Sequence, residues 1–295
     1  MYKRQQQSAS SLRLFVNGRL APVAPVLQVQ GPVQAPVVFA GGRFGTAQST
    51  GAVSEDSVLG KQVAALKPTA VTVSARQKLA AVRAGDSTVA VVTPGRTRVV
   101  DSSRGALAAP TLDQRGWTYS VPKGDPSGLI AVYQTGRTVR LPTSLGGAEV
   151  TAIEASPDGT RLLVLVQRAN GDWHAYVAGI LRDADGTPNG LTTDQYPIGV
   201  PAGAAIDATW VDDATVAILT GAPDGSNTVT TQQLGGLASP AGRLSNAESI
   251  VGTSSKSDLR ARDDSGNVLE PSPSVTVWQN VFSNTVDVAV LAVQR

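Results

Sequence analysis

One theme recurs along the chain: an apolar strand, a short polar turn and a second apolar strand, in copies that start 39, 43, 55 and 42 residues apart. The copies are AVTVSARQKLAAV from Ala70, APTLDQRGWTYSV from Ala109, AIEASPDGTRLLVLV from Ala152, DATWVDDATVAIL from Asp207 and SIVGTSSKSDLRAR from Ser249. A period of about 40–45 residues is what a four-stranded propeller blade requires. Most copies continue into a further strand, at Ser87–Thr93, Gly128–Tyr133, Trp173–Leu181 and Asn227–Gln233. One strand per unit is a continuous apolar run, such as Leu162–Val166 or Val216–Leu219, as expected when both faces of a strand are covered.

These observations predict an all-β fold, a β-propeller of about six blades, with five and seven also compatible. The sixth unit is the stretch from Val37 to Leu66, and the terminal strand Val286–Val293 is placed to pair with it and close the ring. With 30 Gly and 18 Pro, the chain has the turn density of many short strands. Helix signals are weak. Ser54–Ala65 carries sparse apolar residues and Gly60, and reads as loop or strand.

Upstream of the repeats, residues 1–11 are polar and Gln/Ser-rich, and are expected to be disordered. Residues 12–30 begin with a hairpin, Leu12–Val16 and Arg19–Val23 around the tight turn Asn17-Gly18, and residues 31–36 read as a linker to a propeller over 37–295.

Composition narrows the chemistry. No cysteine excludes thiolate metal sites and cysteine nucleophiles, and a single histidine excludes a His-rich metal centre. A net charge of +2 is too balanced for a nucleic-acid binder. There is no phosphate loop, no dinucleotide fingerprint and no Gly-x-Ser-x-Gly elbow. The turn from Asp183 to Asn189 is rich in oxygen ligands, but the sixth and twelfth positions of an EF-hand counted from Asp183 are Pro188 and Asp194, so it reads as an Asp-Gly turn and not a calcium loop. The pairs Asp212-Asp213 and Asp263-Asp264 fall where the repeat places turns. No catalytic residue, cofactor or metal is assigned.

Trp117 and Trp210 fall near the same point of their units, as repeated packing residues do. Trp173 and Trp278 lie outside that register and are candidates for an exposed binding surface, as in a carbohydrate or cell-wall-fragment module. The unit over 168–203 is the most irregular, and its Trp173, His174, Tyr176 and Arg182 form the candidate partner-binding set. A metal-dependent propeller lactonase would need acids and amides converging in the central channel.

Several phrases in order carry a family resemblance: PVVFAGGRFG from Pro36, LGKQVAALKPTAVTVSARQKLAAVR from Leu59, ASPDGTRLLVLVQ from Ala155, VAGILRDADGTPNGLT from Val177, ATWVDDATVAIL from Ala208 and the terminal VAVLAVQR. Over residues 36–295 the chain resembles the C-terminal part of the LpqB family of actinobacterial lipoproteins, which accompany the MtrA/MtrB two-component system. The resemblance implies a GerMN-like domain before the propeller, of which the hairpin would be the tail. It also implies a lipid-anchored protein on the extracytoplasmic face of the plasma membrane, with a non-enzymatic accessory role towards the extracellular domain of a sensor histidine kinase in envelope homeostasis and division. The family's signal peptide and lipobox cysteine have no counterpart in this chain, so the membrane anchor is not carried over.

Overall fold

A computed structural model describes residues 57–74, 79–102, 105–143, 149–252 and 259–265, together with the strand segments at 15–16, 19–20, 27–29, 33–40, 43–47, 53–56, 268–271, 278–282 and 289–292. The segment 1–11 and the Asn17-Gly18 turn lie outside the described residues.

The chain opens with β1 (Phe15–Val16) and β2 (Arg19–Leu20), an antiparallel pair with Phe15 opposite Leu20, as the hairpin reading expects. Next come β3 (Leu27–Val29), β4 (Val33–Ala40), β5 (Arg43–Ala47) and β6 (Val53–Asp56), and then α1 (Ser57–Ala65). Blade 1 is β7 (Pro68–Ser74), β8 (Leu79–Ala84), β9 (Thr88–Thr93) and β10 (Arg96–Ser102). Blade 2 is β11 (Thr111–Leu112), β12 (Trp117–Ser120), β13 (Ile130–Tyr133) and β14 (Thr138–Arg140). Blade 3 is β15 (Glu149–Ala155), β16 (Arg161–Gln167), β17 (Trp173–Arg182), β18 (Pro188–Leu191) and the extra strand β19 (Tyr196–Ile198). Blade 4 is β20 (Ala204–Trp210), β21 (Thr215–Gly221), β22 (Ser226–Gln233) and β23 (Ala238–Ser245). Blade 5 is β24 (Ala247–Val251), β25 (Arg260–Asp263), β26 (Val268–Pro271) and β27 (Trp278–Phe282). Blade 6 is composite, with β28 (Ala289–Ala292) followed by β4, β5 and β6.

The described residues therefore form six blades. The five repeat copies supply the first two strands of blades 1 to 5. The C-terminal strand pairs with β4, Ala289 opposite Val37, so the two ends of the propeller close the ring in one sheet. First strands of successive blades pack on one another, β7 on β11, β11 on β15, β15 on β20 and β20 on β24, and so line the axis.

Burial explains the unbroken apolar runs. In β16, Leu162, Val164 and Val166 pack into a cluster shared with blade 2, whereas Leu163 and Leu165 pack into one shared with blade 4. In β21, Val216 and Ile218 face blade 3 and Ala217 and Leu219 face blade 5. Each seam is thus its own small core, and a central strand must be apolar on both faces.

Two sequence expectations are corrected. Ser57–Ala65 is a helix, not loop or strand. Leu59 and Val63, one helical turn apart, are buried, and that burial outweighs the roughly 1 kcal/mol that an interior glycine costs. The boundary before the propeller also moves. Residues 27–29, assigned to the hairpin segment, run parallel to β7 with Leu27 opposite Val71, and β4 begins at Val33, inside the assigned linker. The first strand of blade 1 thereby gains a partner along its axial edge.

Candidate functional site

The four residues singled out in the irregular unit all lie on β17, but the structure does not bring them together. Alternation along the strand sends Trp173, Ala175 and Val177 into the cluster shared with blade 4, and Tyr176, Ala178 and Ile180 into the one shared with blade 2. His174 and Tyr176 therefore share a face, and their rings stack at 6.0 Å with planes 5° apart. Arg168 donates to the Tyr176 hydroxyl at 2.9 Å. Of the predicted set, His174 and Tyr176 thus form a half-exposed group, with Arg168, which the sequence did not single out, beside them.

Arg182 does not belong to it. Its Nη2 lies 2.5 Å from Asp113 Oδ2 and 3.0 Å from both the Tyr119 hydroxyl and the Gly159 carbonyl, while Nη1 donates to the Gly186 carbonyl at 2.9 Å. Asp113 is fully buried and also accepts the N–H groups of Arg115 and Trp117 and the Tyr119 hydroxyl. Burial, then the Asp113 carboxylate, push the Tyr119 phenol well above its ordinary pKa, so it stays a donor. Arg182 thus ties blade 3 to blade 2.

The tryptophans sort similarly. Trp210 is 2% exposed and Trp117 5%, on opposite sides of the first turn of their blades, in agreement with packing roles. Trp278 is buried in the cluster between blades 4 and 5, and Trp173 packs half-buried against the cluster between blades 3 and 4. A sugar platform built on these two tryptophans is therefore not available.

The acidic turn closes on itself. Asp183 N–H bonds the Thr187 carbonyl, Asn189 donates to the Asp183 carboxylate, and Asp185 pairs with Arg137 at 3.1 Å across to blade 2. Hydrogen bonds from Thr187, side chain and backbone, then Arg137, hold the Asp185 carboxyl down at about 2. Among the described residues no three acidic or histidine side chains converge as a metal site.

Two features escaped the sequence reading. The first is a set of axial ties. In the first strands of blades 1 to 4 a polar side chain bonds the next blade: Thr72 donates to the Pro110 carbonyl at 2.7 Å, Thr111 accepts the Ala155 N–H at 3.0 Å, Glu154 accepts the Trp210 N–H at 3.0 Å, and Thr209 accepts the Gly252 N–H at 3.0 Å. Glu154 stands where the others carry threonine. Burial and then the neighbouring Asp207 carboxylate raise its pKa well above the usual carboxylate range. Asp207 accepts the N–H groups of Ile250 and Ala208, and burial pushes it up to about 6. Both acids act as acceptors between blades 3, 4 and 5.

The second is a groove on the rim of blade 3. The outer edge of β17 is shared: β18 pairs with its Ile180–Arg182 end and β19 with Ala175–Val177. The crossing between them is pinned at Gly179, whose N–H donates to Thr192 Oγ1 at 2.9 Å and whose carbonyl accepts the Thr192 N–H at 2.9 Å. A Cβ on Gly179 would stand 2.9 Å from Thr192 Cγ2, so a larger residue here would force the Thr192 side chain to shift. The result is an open groove of about 480 Å³ lined by Gly179, Thr192, Leu181, Tyr196, Asp194 and Arg161 among others. The long 55-residue spacing was the trace of this insertion in the sequence.

Comparison with known proteins places this architecture. Solved propellers resemble it in fold: TolB from Acinetobacter baumannii at 13% identity and TM-score 0.58, over 86% of this chain and 64% of that one; a TolB-type protein from Agrobacterium tumefaciens at 14% and 0.51, over 78% and 86%; and a catalytically inactive virginiamycin B lyase from Staphylococcus aureus with quinupristin at 12% and 0.51, over 83% of each chain. At such identities the likeness is one of fold. Curated proteins give no sequence match. A family profile described as the lipoprotein LpqB β-propeller domain covers residues 42–290, and with this match the chain belongs to that family.

Proposed function

We propose that this chain is a non-enzymatic, extracytoplasmic propeller that holds a protein partner, and that the partner is the extracellular domain of a sensor histidine kinase acting in cell-envelope homeostasis and division. The lipoprotein character of the family supports the extracytoplasmic side of the reading. The observation that carries the binding side is the His174–Tyr176 stack with Arg168 on the rim of blade 3. Half-exposed aromatics beside an arginine are the composition enriched at protein interfaces. The single histidine stacks on a tyrosine, and the acids Asp113, Glu154 and Asp207 are engaged in inter-blade hydrogen bonds. Binding alters signalling only if it favours one kinase state over the other.

The test is capture of the kinase ectodomain from envelope extract by the propeller, with His174→Ala/Tyr176→Ala as a parallel bait. Recovery by the wild type and at least a tenfold loss in the variant, about 1.4 kcal/mol, is the expected result. A folded wild-type bait that recovers no kinase overturns the partner, and equal recovery by the variant overturns the face.

A further inference from the structure

The rim groove of blade 3 opens beside Val177, Gly179 and Leu181 of β17, which alternate along the strand with His174 and Tyr176. Its chemistry is specific. Among the described residues four large apolar side chains are strongly exposed, and two of them, Tyr196 at 57% and Leu181 at 46%, line this groove. Tyr196 is held in place: β19 pairs it with Val177, and the following Pro197 restricts its backbone to extended conformations. Beside it stand the exposed Thr193 hydroxyl and Asp194 carboxylate. The Arg161 guanidinium is fixed at the groove by donating from Nη1 to the Asp213 carbonyl.

We propose that this groove is a sugar-binding site in which a pyranose ring lies on Tyr196 and its hydroxyls are bonded by Asp194, Thr193 and Arg161. A sugar ring has an apolar C–H face and a rim of hydroxyls, and it fits a site that offers one exposed aromatic face flanked by charged donors and acceptors. The volume of about 480 Å³ suits one or two rings and falls in the range of small-ligand sites. An extended peptide added to the sheet edge fits less well. The edge strands β18 and β19 are four and three residues long, and Pro188 and Pro197 leave each without an N–H at one position.

The proposal is independent of the kinase reading, and its test separates the two. The chain is titrated with chitotetraose, maltotetraose and mannotetraose, following amide chemical shifts, in the wild type and in Tyr196→Ala, Tyr196→Phe and Asp194→Asn. Saturable binding of at least one oligosaccharide with a Kd of about 1 mM or tighter is expected, weakened at least tenfold by Tyr196→Ala and Asp194→Asn and retained by Tyr196→Phe. The melting temperature of Tyr196→Ala stays within about 2 °C of wild type, because the side chain is exposed. Absence of saturation by all three sugars at about 10 mM overturns the site, as does binding that Tyr196→Ala leaves intact. Competition by unrelated extended peptides at the same resonances also overturns it, in favour of a peptide groove. Kinase capture is expected to survive Tyr196→Ala, so loss of sugar binding and loss of the partner are distinguishable.

Discussion

Glu154 and Trp210 hold each other twice across the seam between blades 3 and 4. The Trp210 backbone N–H donates to Glu154 Oε2 at 3.0 Å, and the Trp210 indole N–H donates to the Glu154 carbonyl at 3.0 Å. Thr209 adds its hydroxyl to Glu154 Oε1 at 3.2 Å. A large core side chain and a buried acid are thereby locked into one unit, with every polar atom of the indole satisfied.

Removing the ring tests that unit. Trp210→Ala is expected to cost about 3–5 kcal/mol in denaturant unfolding, through lost apolar burial and the cavity left behind. A loss below about 0.5 kcal/mol would mean that the residue does not pack as described.

The acid pair predicts a pH profile. Glu154 and Asp207 have folded-state pKa values above their unfolded ones, Asp207 at about 6. A raised pKa means that the folded state holds the proton more tightly, so the stability it supports is complete below the unfolded pKa and is lost as pH rises through the folded one. Asp158, Asp185 and Asp224 are shifted down and act oppositely, with stability lost as pH falls below about the ordinary aspartate range. The melting temperature is therefore expected to be highest near about pH 4 and to decline as pH rises through about 6. Glu154→Gln, which keeps an acceptor without the charge, flattens the alkaline decline. An unchanged slope in that variant would show that Glu154 does not titrate with the fold.

The Asp113–Arg182 pair predicts a costly single deletion. Arg182→Ala leaves the fully buried Asp113 carboxylate without its cation and is expected to cost about 3–5 kcal/mol, measured by chemical denaturation. In Asp113→Asn/Arg182→Met the charge is removed from both sides, and part of that loss returns. Additive losses in a double-mutant cycle would argue against a direct interaction.

At Gly252 the backbones of blades 4 and 5 approach closely. A Cβ there would stand 1.7 Å from the Trp210 carbonyl oxygen, and the Gly252 N–H donates to Thr209. Gly252→Ala must push two backbones apart and is expected to cost about 1–3 kcal/mol or more, whereas Gly85→Ala, with open space around it, loses only what its positive φ demands. Comparable melting temperatures for Gly252→Ala and the wild type would mean that the blades can separate there freely.

The 40-residue theme, the apolar strands and the terminal strand that closes the ring were all readable along the chain. Each is a local pattern: the period is that of one blade, and the doubly apolar runs record that each blade has neighbours on both sides. The alternation of β17 was readable for the same reason, and it correctly put His174 and Tyr176 on one face.

What the chain alone could not reveal is how successive blades meet. Arg182 and Asp113 are 69 residues apart, and Glu154 and the Trp210 N–H 56 apart, so whether such a polar side chain faces solvent or a neighbour depends on the rotation between blades. For that reason Arg182 read as a candidate partner contact, Trp278 as a candidate for an exposed binding surface and Ser54–Ala65 as loop or strand, when each is settled by what packs against it. Sequence periodicity determined the ring and its closure, because hydrophobic pattern and turn spacing are properties of one strand pair at a time. Tertiary structure decided which polar groups tie the blades, and where the broken outer strand opens a groove, because those depend on contacts between units that the pattern treats as equivalent.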